Sequence, residues 1–386
     1  MDAKTKRGEV FTPEYLVNKM LDLLPVEVWT NKNLKWLEPS AGRGAFFKEV
    51  FKRLVDAGID REYIIENMLY MVEIDVGNIK HLREYFGENA NIIMGSFIKN
   101  GGNSQVDFNI SFDIVVGNPP YQYEYPTSKR VCAIWNFFIY RSVELLKDGG
   151  FLVFVNPSGW RNHKGGYYKV FQLIQENNLM YLNINNYEKG KEVFNSATNF
   201  DYYLMRKEKT TTNITKINDI DNKDWEIDLN KWKIIPNGLY DVFDKLFNHK
   251  EECVELLQSG IIHRSHGNYE CKYSDTPNDY PIICILKKGK THNIKYSKIN
   301  IGYFGIPKVI FSIGSAPPIT DAEGKYSISS FASAIKDEVS NLEKIRGAMI
   351  SEKFITLMKY LILTRSYLYN EKAIALLKKD FYNDFI

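Results

Sequence analysis

Four short apolar runs, LKWLEPS (34–40), MLYMVEIDV (68–76), ANIIMGSF (90–97) and FDIVVG (112–117), each carry glycine or polar residues at their ends. Helix-like segments accompany them: YLVNKMLDLL (15–24) before the first and AFFKEVFKRLVDAG (45–58) between the first two. A chain that alternates strand and helix suits a parallel sheet, because parallel neighbours need a long crossover and a helix supplies it. In open sheets of this kind ligands gather at the carboxyl ends of the strands. The polar ends of the four runs therefore belong on one edge and point to one site. The expected fold class is α/β, Rossmann-like, followed by a smaller α+β domain.

The first run leads into Ala41-Gly42-Arg43-Gly44, a tight turn that lets backbone approach a ligand closely, although a plain strand-to-helix turn has the same composition. Glu73 and Asp75 end the second run, where such folds place an acid on ribose hydroxyls; Glu73 comes first after the apolar stretch and is the preferred residue. Ser96 and Phe97 reach the same edge. Thr12 reads as a helix N-cap with Pro13 at the first helical position, and a threonine there can also hold a carboxylate.

Asn118-Pro119-Pro120-Tyr121 closes the fourth run. Taken alone it fits a proline-rich turn or a short polyproline ligand. It also looks like the active-site loop of S-adenosylmethionine-dependent methyltransferases that act on an exocyclic or amide nitrogen. Such a nitrogen is a poor nucleophile because its lone pair is conjugated. Two fixed acceptors, the Asn118 side-chain oxygen and the Pro119 carbonyl, would draw the lone pair out and stabilise the charge that develops. Two prolines stiffen the loop in advance, and Tyr121 offers a flat face to an unstacked base.

Further on, AIWNFFIYRSVELLKDGG (133–150) is expected as an amphipathic helix closed by Gly149-Gly150, and FLVFVNPSGW (151–160) as a strand with its loop. EVFNSATNFDYYLM (192–205) suggests a last hairpin with Phe194 in its turn. Residues 207–235 are rich in Lys, Asp, Asn and Thr with little apolar periodicity, hence an expected linker between a first domain, 1–206, and a second, 236–386. In the second, YPIICIL and KVIFSIG read as strands, and the stretch from NLEKIRGAM onward as helical.

The order of these motifs resembles the gamma class of DNA adenine-N6 methyltransferases of restriction-modification systems, over residues 7 to about 205. The resemblance implies S-adenosylmethionine as cofactor and double-stranded DNA as partner, with 1–206 catalytic and 236–386 recognising the target. Thr12, Pro13, Glu38, Ser40, Gly42 and Gly44 would line its methionine end, Glu73 its ribose, and Phe97 and Pro120 its adenine. Asn118 and Pro119 would receive the target amine, with Tyr121 and Phe194 against the flipped base. The family commonly has an acid where this chain has Ser96, which can accept the same hydrogen bond without the charge. Asn at the loop head leans toward adenine-N6.

Alternatives are a related methyltransferase acting on RNA or on protein glutamine, or an inactive DNA-binding specificity subunit. A cognate restriction endonuclease would be a separate polypeptide, since no segment is left over for a nuclease core. Lys287, Lys288 and Lys290 form a basic stretch with His292, Lys295 and Lys298, either a solvated loop or a contact to DNA phosphates. His263 and His266 lack further ligands at metal spacing, and no metal is expected. Cys132, Cys253, Cys271 and Cys284 have no paired spacing and read as reduced. With 44% apolar and 14% aromatic residues among 386, a net charge of +3, a charged start and no run long enough to span a bilayer, a globular cytoplasmic protein is expected.

Overall fold

The computed structural model describes residues 11–99, 105–124, 131–247, 252–258, 277, 280–287, 292–297, 302–312, 316–364 and 368–385. The chain divides into two units, Met1–Ile235 and Pro236–Ile386. In the first, helices α1 (Glu14–Leu21), α2 (Ala45–Asp56), α3 (Val76–Phe86), α4 (Trp135–Leu145), α5 (Tyr168–Gln175) and α6 (Tyr187–Phe194) accompany a nine-stranded sheet. Its strands are β1 (Trp36–Glu38), β2 (Leu69–Glu73), β3 (Asn91–Met94), β4 (Phe112–Gly117), β7 (Leu146–Pro157), β8 (Asn178–Asn185), β9 (Phe200–Arg206), β10 (Ile214–Asn218) and β11 (Asp224–Asp228). The strands β5 (Gln122–Glu124) and β6 (Val131–Ala133) pair with each other outside it.

The sheet order is β11-β10-β8-β9-β7-β4-β1-β2-β3. Strands β3, β2, β1, β4 and β7 run parallel, and β9 lies antiparallel between β7 and β8. From β1 the chain moves outward to β2 and β3, then returns to β4 on the other side of β1. That reversal opens a crevice at the carboxyl ends of β1 and β4, the usual ligand position in open α/β sheets.

Burial follows the two periodicities. Phe46, Phe47, Val50, Phe51 and Leu54 form the inner stripe of α2, and with Leu16, Val17 and Met20 of α1 they pack on Trp36, Met71, Ile114, Val116, Val153 and Val155. The strand residues alternate, so one face of the sheet supplies them all. Each such side chain contributes about 1.5–3 kcal/mol on burial, which holds the site-bearing loops on a rigid base.

Three expectations need correction. Residues 207–235 are not a linker, because β10 pairs parallel with β8 and β11 antiparallel with β10. Thr215 and Ile217 are buried while Ile214 and Lys216 are exposed, so only one face carries a signal. The segment is anchored by polar side chains instead: Asn213 Oδ1 accepts from Leu179 N at 3.1 Å, and Gln175 Nε2 donates to the carbonyls of Leu229 and Trp232. Gly149-Gly150 does not cap a helix. The helix stops at Leu145, and both glycines lie inside β7, where a Cβ on Gly150 would come within 2.8 Å of the Asp113 carbonyl oxygen. Phe194 is not in a hairpin turn. It ends α6, which Asn186 caps by accepting from Lys189 N and which Asn195 closes in the left-handed conformation.

The second unit is α+β. Helix α7 (Tyr240–Leu246) precedes β12 (Glu255–Gln258), β13 (Tyr280–Ile285), β14 (Asn293–Ser297), β15 (Lys308–Ser312), β16 (Ile319–Asp321), β17 (Ser327–Ile328) and β18 (Ala332–Lys336). These form sheets β12-β18-β15-β16 and β14-β13-β17, followed by α8 (Val339–Ile350) and α9 (Glu352–Lys359). Lys308 and Asp321 make a buried pair at 2.7 Å across β15 and β16.

The fit of α6 against the chain that follows is tight, since a Cβ at Gly190 would collide with the Thr198 carbonyl oxygen. Gly190→Ala should therefore destabilise the protein by about 1–3 kcal/mol, read as a lowered denaturant midpoint with unchanged slope.

Candidate functional site

A cavity of about 400 Å³ lies at the carboxyl edge of β1, β2 and β4. Thr12, Glu38, Ser40, Gly42, Glu73, Ser96, Phe97, Asn118, Pro119, Pro120 and Tyr121 all line it. Pro13, Gly44 and Phe194 are not among the lining residues. Gly44 sits under the loop, where a Cβ would meet Leu82 Cδ2 at 2.9 Å, and its φ of +79° is one that L side chains rarely adopt. Phe11, Ile74, Asn78, Ile98, Tyr123, Ile134 and Phe138, which no motif singled out, also line the cavity, as do Arg43 of the glycine turn and Asp75. Most are apolar or aromatic side chains with no pattern of their own. The Arg43 guanidinium lies over the Phe11 ring, 5.5 Å from its centroid.

Glu73 binds the two loops together. Its Oε2 accepts from Gly42 N at 2.6 Å, and its Oε1 accepts from Ile74 N at 2.8 Å and Asp75 N at 2.7 Å. Asp75 has a different task, capping α3 by accepting from Gly77 N and Asn78 N.

Glu38 at the end of β1 is buried, with Oε2 accepting from Phe47 N at 3.2 Å. Burial pushes its carboxyl well above the ordinary range; the Phe47 amide works against this, and the nearby Glu73 adds to it. A buried carboxyl under such pressure suits a cationic ligand group, whose arrival would favour the ionised form.

Thr12 does not cap α1. Pro13 occupies the cap position, with its carbonyl accepting from Leu16 N and Val17 N. The Thr12 hydroxyl instead accepts from Asn118 Nδ2 at 3.1 Å. That bond engages Nδ2 and fixes the orientation of the amide. Ser40 Oγ lies 3.5 Å from the Asn118 carbonyl oxygen, to which it donates, tying the loop to the end of β1. Ser96 Oγ donates to the Ile98 carbonyl at 2.7 Å. Its proton is thereby committed, and the oxygen faces any further partner as an acceptor.

Tyr121, in the loop after β4, and Phe194, at the end of α6, come together from positions far apart in sequence, ring centroids 6.5 Å apart and 80° between planes. Phe97 packs on Phe138 at 5.4 Å. Burial, aided by the charge of Asp201, pushes the Tyr121 phenol far above its ordinary value, so the hydroxyl stays protonated. Lys287 is exposed after β13, while Lys288, Lys290, His263 and His266 lie outside the described residues. Among the described residues no cluster of three His, Cys, Asp or Glu is arranged to hold a metal, and no helix is long and apolar enough to cross a membrane. Cys132, Cys253 and Cys284 form no disulfide.

Residues 78–194 match the family described as Eco57I restriction-modification methylase. The chain is 27% identical over 237 residues to Type II methyltransferase M.HincII of Haemophilus influenzae, a match covering 57% of this chain and 41% of that protein. It is 40% identical over 76 residues to an uncharacterized adenine-specific methylase of Mycoplasma pneumoniae, covering 17% of this chain and 18% of that one. The solved Type IIL restriction-modification enzyme MmeI in complex with DNA superposes on 98% of this chain and 69% of its own, at 12% identity and a TM-score of 0.49. The chain thus spans about two fifths of the length of M.HincII. The family match and the two sequence matches bear out the resemblance to restriction-modification methylases.

The raised Glu38 carboxyl has a consequence for stability. Between the unfolded carboxylate pKa and the higher folded one, the folded state holds the extra proton, so stability falls as pH rises through that window and stays lower above it. Glu38→Gln should then raise the thermal midpoint at pH 7, with the gain shrinking as pH falls through that window and absent below the ordinary carboxylate range. A midpoint that is equal or lower at pH 7 would contradict the assignment.

Proposed function

We propose that the chain is a DNA adenine-N6 methyltransferase of a restriction-modification system, using S-adenosylmethionine and acting on an adenine swung out of double-stranded DNA. The observation that carries this reading is the Asn118 amide, held by Thr12 beside the cavity, with the Tyr121–Phe194 aromatic pair next to it.

The cavity residues fit the cofactor. When bound, S-adenosylmethionine supplies a methyl group activated on a sulfonium. Glu73 would hold its ribose hydroxyls while still bonded to the glycine loop, and Glu38 with Ser40 would meet the cationic methionine end. Ser96 Oγ, its proton already given to Ile98, would accept from the cofactor's exocyclic amine. Phe97 and Pro120 would flank the adenine ring.

For the target, Asn118 Oδ1 and the Pro119 carbonyl would accept the two N–H bonds of the amine, pulling its lone pair out of conjugation. No proton needs to leave before attack, so no strong base is required. The two acceptors stabilise the developing positive charge because they are aimed in advance. Tyr121 and Phe194 would replace the stacking that an adenine loses on leaving the duplex. In this reading Met1–Ile235 is catalytic and Pro236–Ile386 recognises the DNA site, with Lys287 a candidate for phosphate contact.

The reading is tested by incubating the protein with methyl-labelled S-adenosylmethionine and mixed genomic DNA, digesting to nucleosides and identifying the labelled species by mass spectrometry. N6-methyladenine is expected. Label confined to RNA or to protein glutamine would replace the reading with the corresponding methyltransferase, and no label anywhere would favour a specificity subunit. Asn118→Ala should keep cofactor affinity and lose roughly 100-fold or more in turnover, while Tyr121→Ala should chiefly weaken handling of the flipped base. Loss of cofactor binding equal to the loss of turnover in Asn118→Ala would remove Asn118 from its assigned role.

A further inference from the structure

Arg161 and Asp201 have no exposed side-chain surface, and their Nε and Oδ2 atoms lie 2.9 Å apart. Ser158 Oγ donates to the other carboxylate oxygen at 2.8 Å, and Arg161 Nη1 donates to the Ile235 carbonyl at 2.8 Å. Taking two charges out of water is costly, and apolar side chains of similar size often serve stability as well or better. Such a pair is better explained by the geometry it imposes.

That geometry concerns the aromatic pair. Strands β7 and β9 pair in register up to Asn156↔Asp201 and Pro157↔Phe200, after which the chain leaves β7 through the turn Ser158–Trp160. Ser158 and Arg161 grip Asp201 just where the backbone ladder gives out. Phe200, the neighbour of Asp201, packs edge-on against Phe194 at 4.9 Å, and Phe194 faces Tyr121. The Tyr121 hydroxyl is buried with no hydrogen-bond partner among the described residues, and the charge of Asp201 acts on it. The start of β9 thus bears on Tyr121 by two routes, through rings on one side and through charge on the other.

We propose that the buried Arg161–Asp201 pair positions the target-base pocket, fixing the start of β9 and through it Phe194 and Tyr121. The substrate part of this inference rests on the methyltransferase reading above; the positional part does not. Arg161 and Asp201 act through other residues and are positioning residues, not catalytic ones.

The test uses the whole protein labelled with 3-fluorotyrosine, with the Tyr121 resonance assigned by Tyr121→Phe. Asp201→Asn and Arg161→Met remove one charge each, and Arg161→Lys is the conservative variant. Without DNA, the first two should shift or split the Tyr121 fluorine resonance while binding S-adenosylhomocysteine at native stoichiometry and within about twofold of native affinity. On DNA they should lose roughly tenfold or more in kcat with KM changed less than about threefold, and Arg161→Lys should recover part of the loss.

An unchanged Tyr121 resonance would overturn the proposal, as would turnover that falls only in proportion to the fraction of protein that binds cofactor. Wild-type protein inert on DNA would sink the methyltransferase reading alone, because the fluorine comparison still decides the positional claim. Should the charge-removing variants fail to fold, Ser158→Ala, which deletes a single bond to Asp201, carries the same comparison.

Discussion

One carboxylate, that of Glu73, holds the functional edge of the sheet in place. It sits at the end of β2 yet accepts amides from two separate loops, the glycine turn after β1 and the backbone that leads into α3. Charge-assisted bonds of this kind are short and strong, each worth about 1.5–3 kcal/mol. Loops at strand ends are otherwise the mobile part of an α/β fold. Here a group suited to touch the ligand also shapes the wall around it, so ligand recognition and loop order depend on the same atoms.

Glu38 lies at the adjacent strand end and stands in the opposite situation. Its burial opposes ionisation, and the proximity of Glu73 aggravates this. The left-handed Gly44 conformation and the buried Arg161–Asp201 pair also belong to the first unit. Sites commonly concentrate strain and unfavourable charge that the remaining core must offset. The packed face of α1 and α2 against the parallel strands supplies that offset within the first unit.

Local signals in the sequence were enough to find the strand ends. Apolar runs terminated by Glu38, Glu73, Ser96 and Asn118 mark β1, β2, β3 and β4 because strand burial and ligand chemistry both act within a few residues there. What eluded the sequence depends on distance or on half-exposure. The partner of Thr12 is Asn118, 106 positions away, and no local pattern records that bond. Strands β10 and β11 present one buried face and are tethered by the amides of Asn213 and Gln175, so their composition resembles that of a connecting loop. Phe194 ends a helix bracketed by the asparagines at 186 and 195, but at eight residues with few apolar positions its string reads equally well as a turn. Asp201 and Arg161 carried no motif at all.

The continuation of the sheet through β10 and β11 bears on how the molecule can be divided and recombined. Ending the chain at Arg206 would strip β10 from β8, leave a row of unpaired backbone groups along a new edge, and remove the Ile235 carbonyl that Arg161 grips. A division between Ile235 and Pro236 breaks no strand pairing, since every strand of the nine-stranded sheet precedes it. The fold therefore has a natural joint immediately after that clamp, where a different second unit could be grafted while the sheet keeps its hydrogen bonds. Modularity of that kind is a property of the backbone ladder and not of the length of any connecting segment.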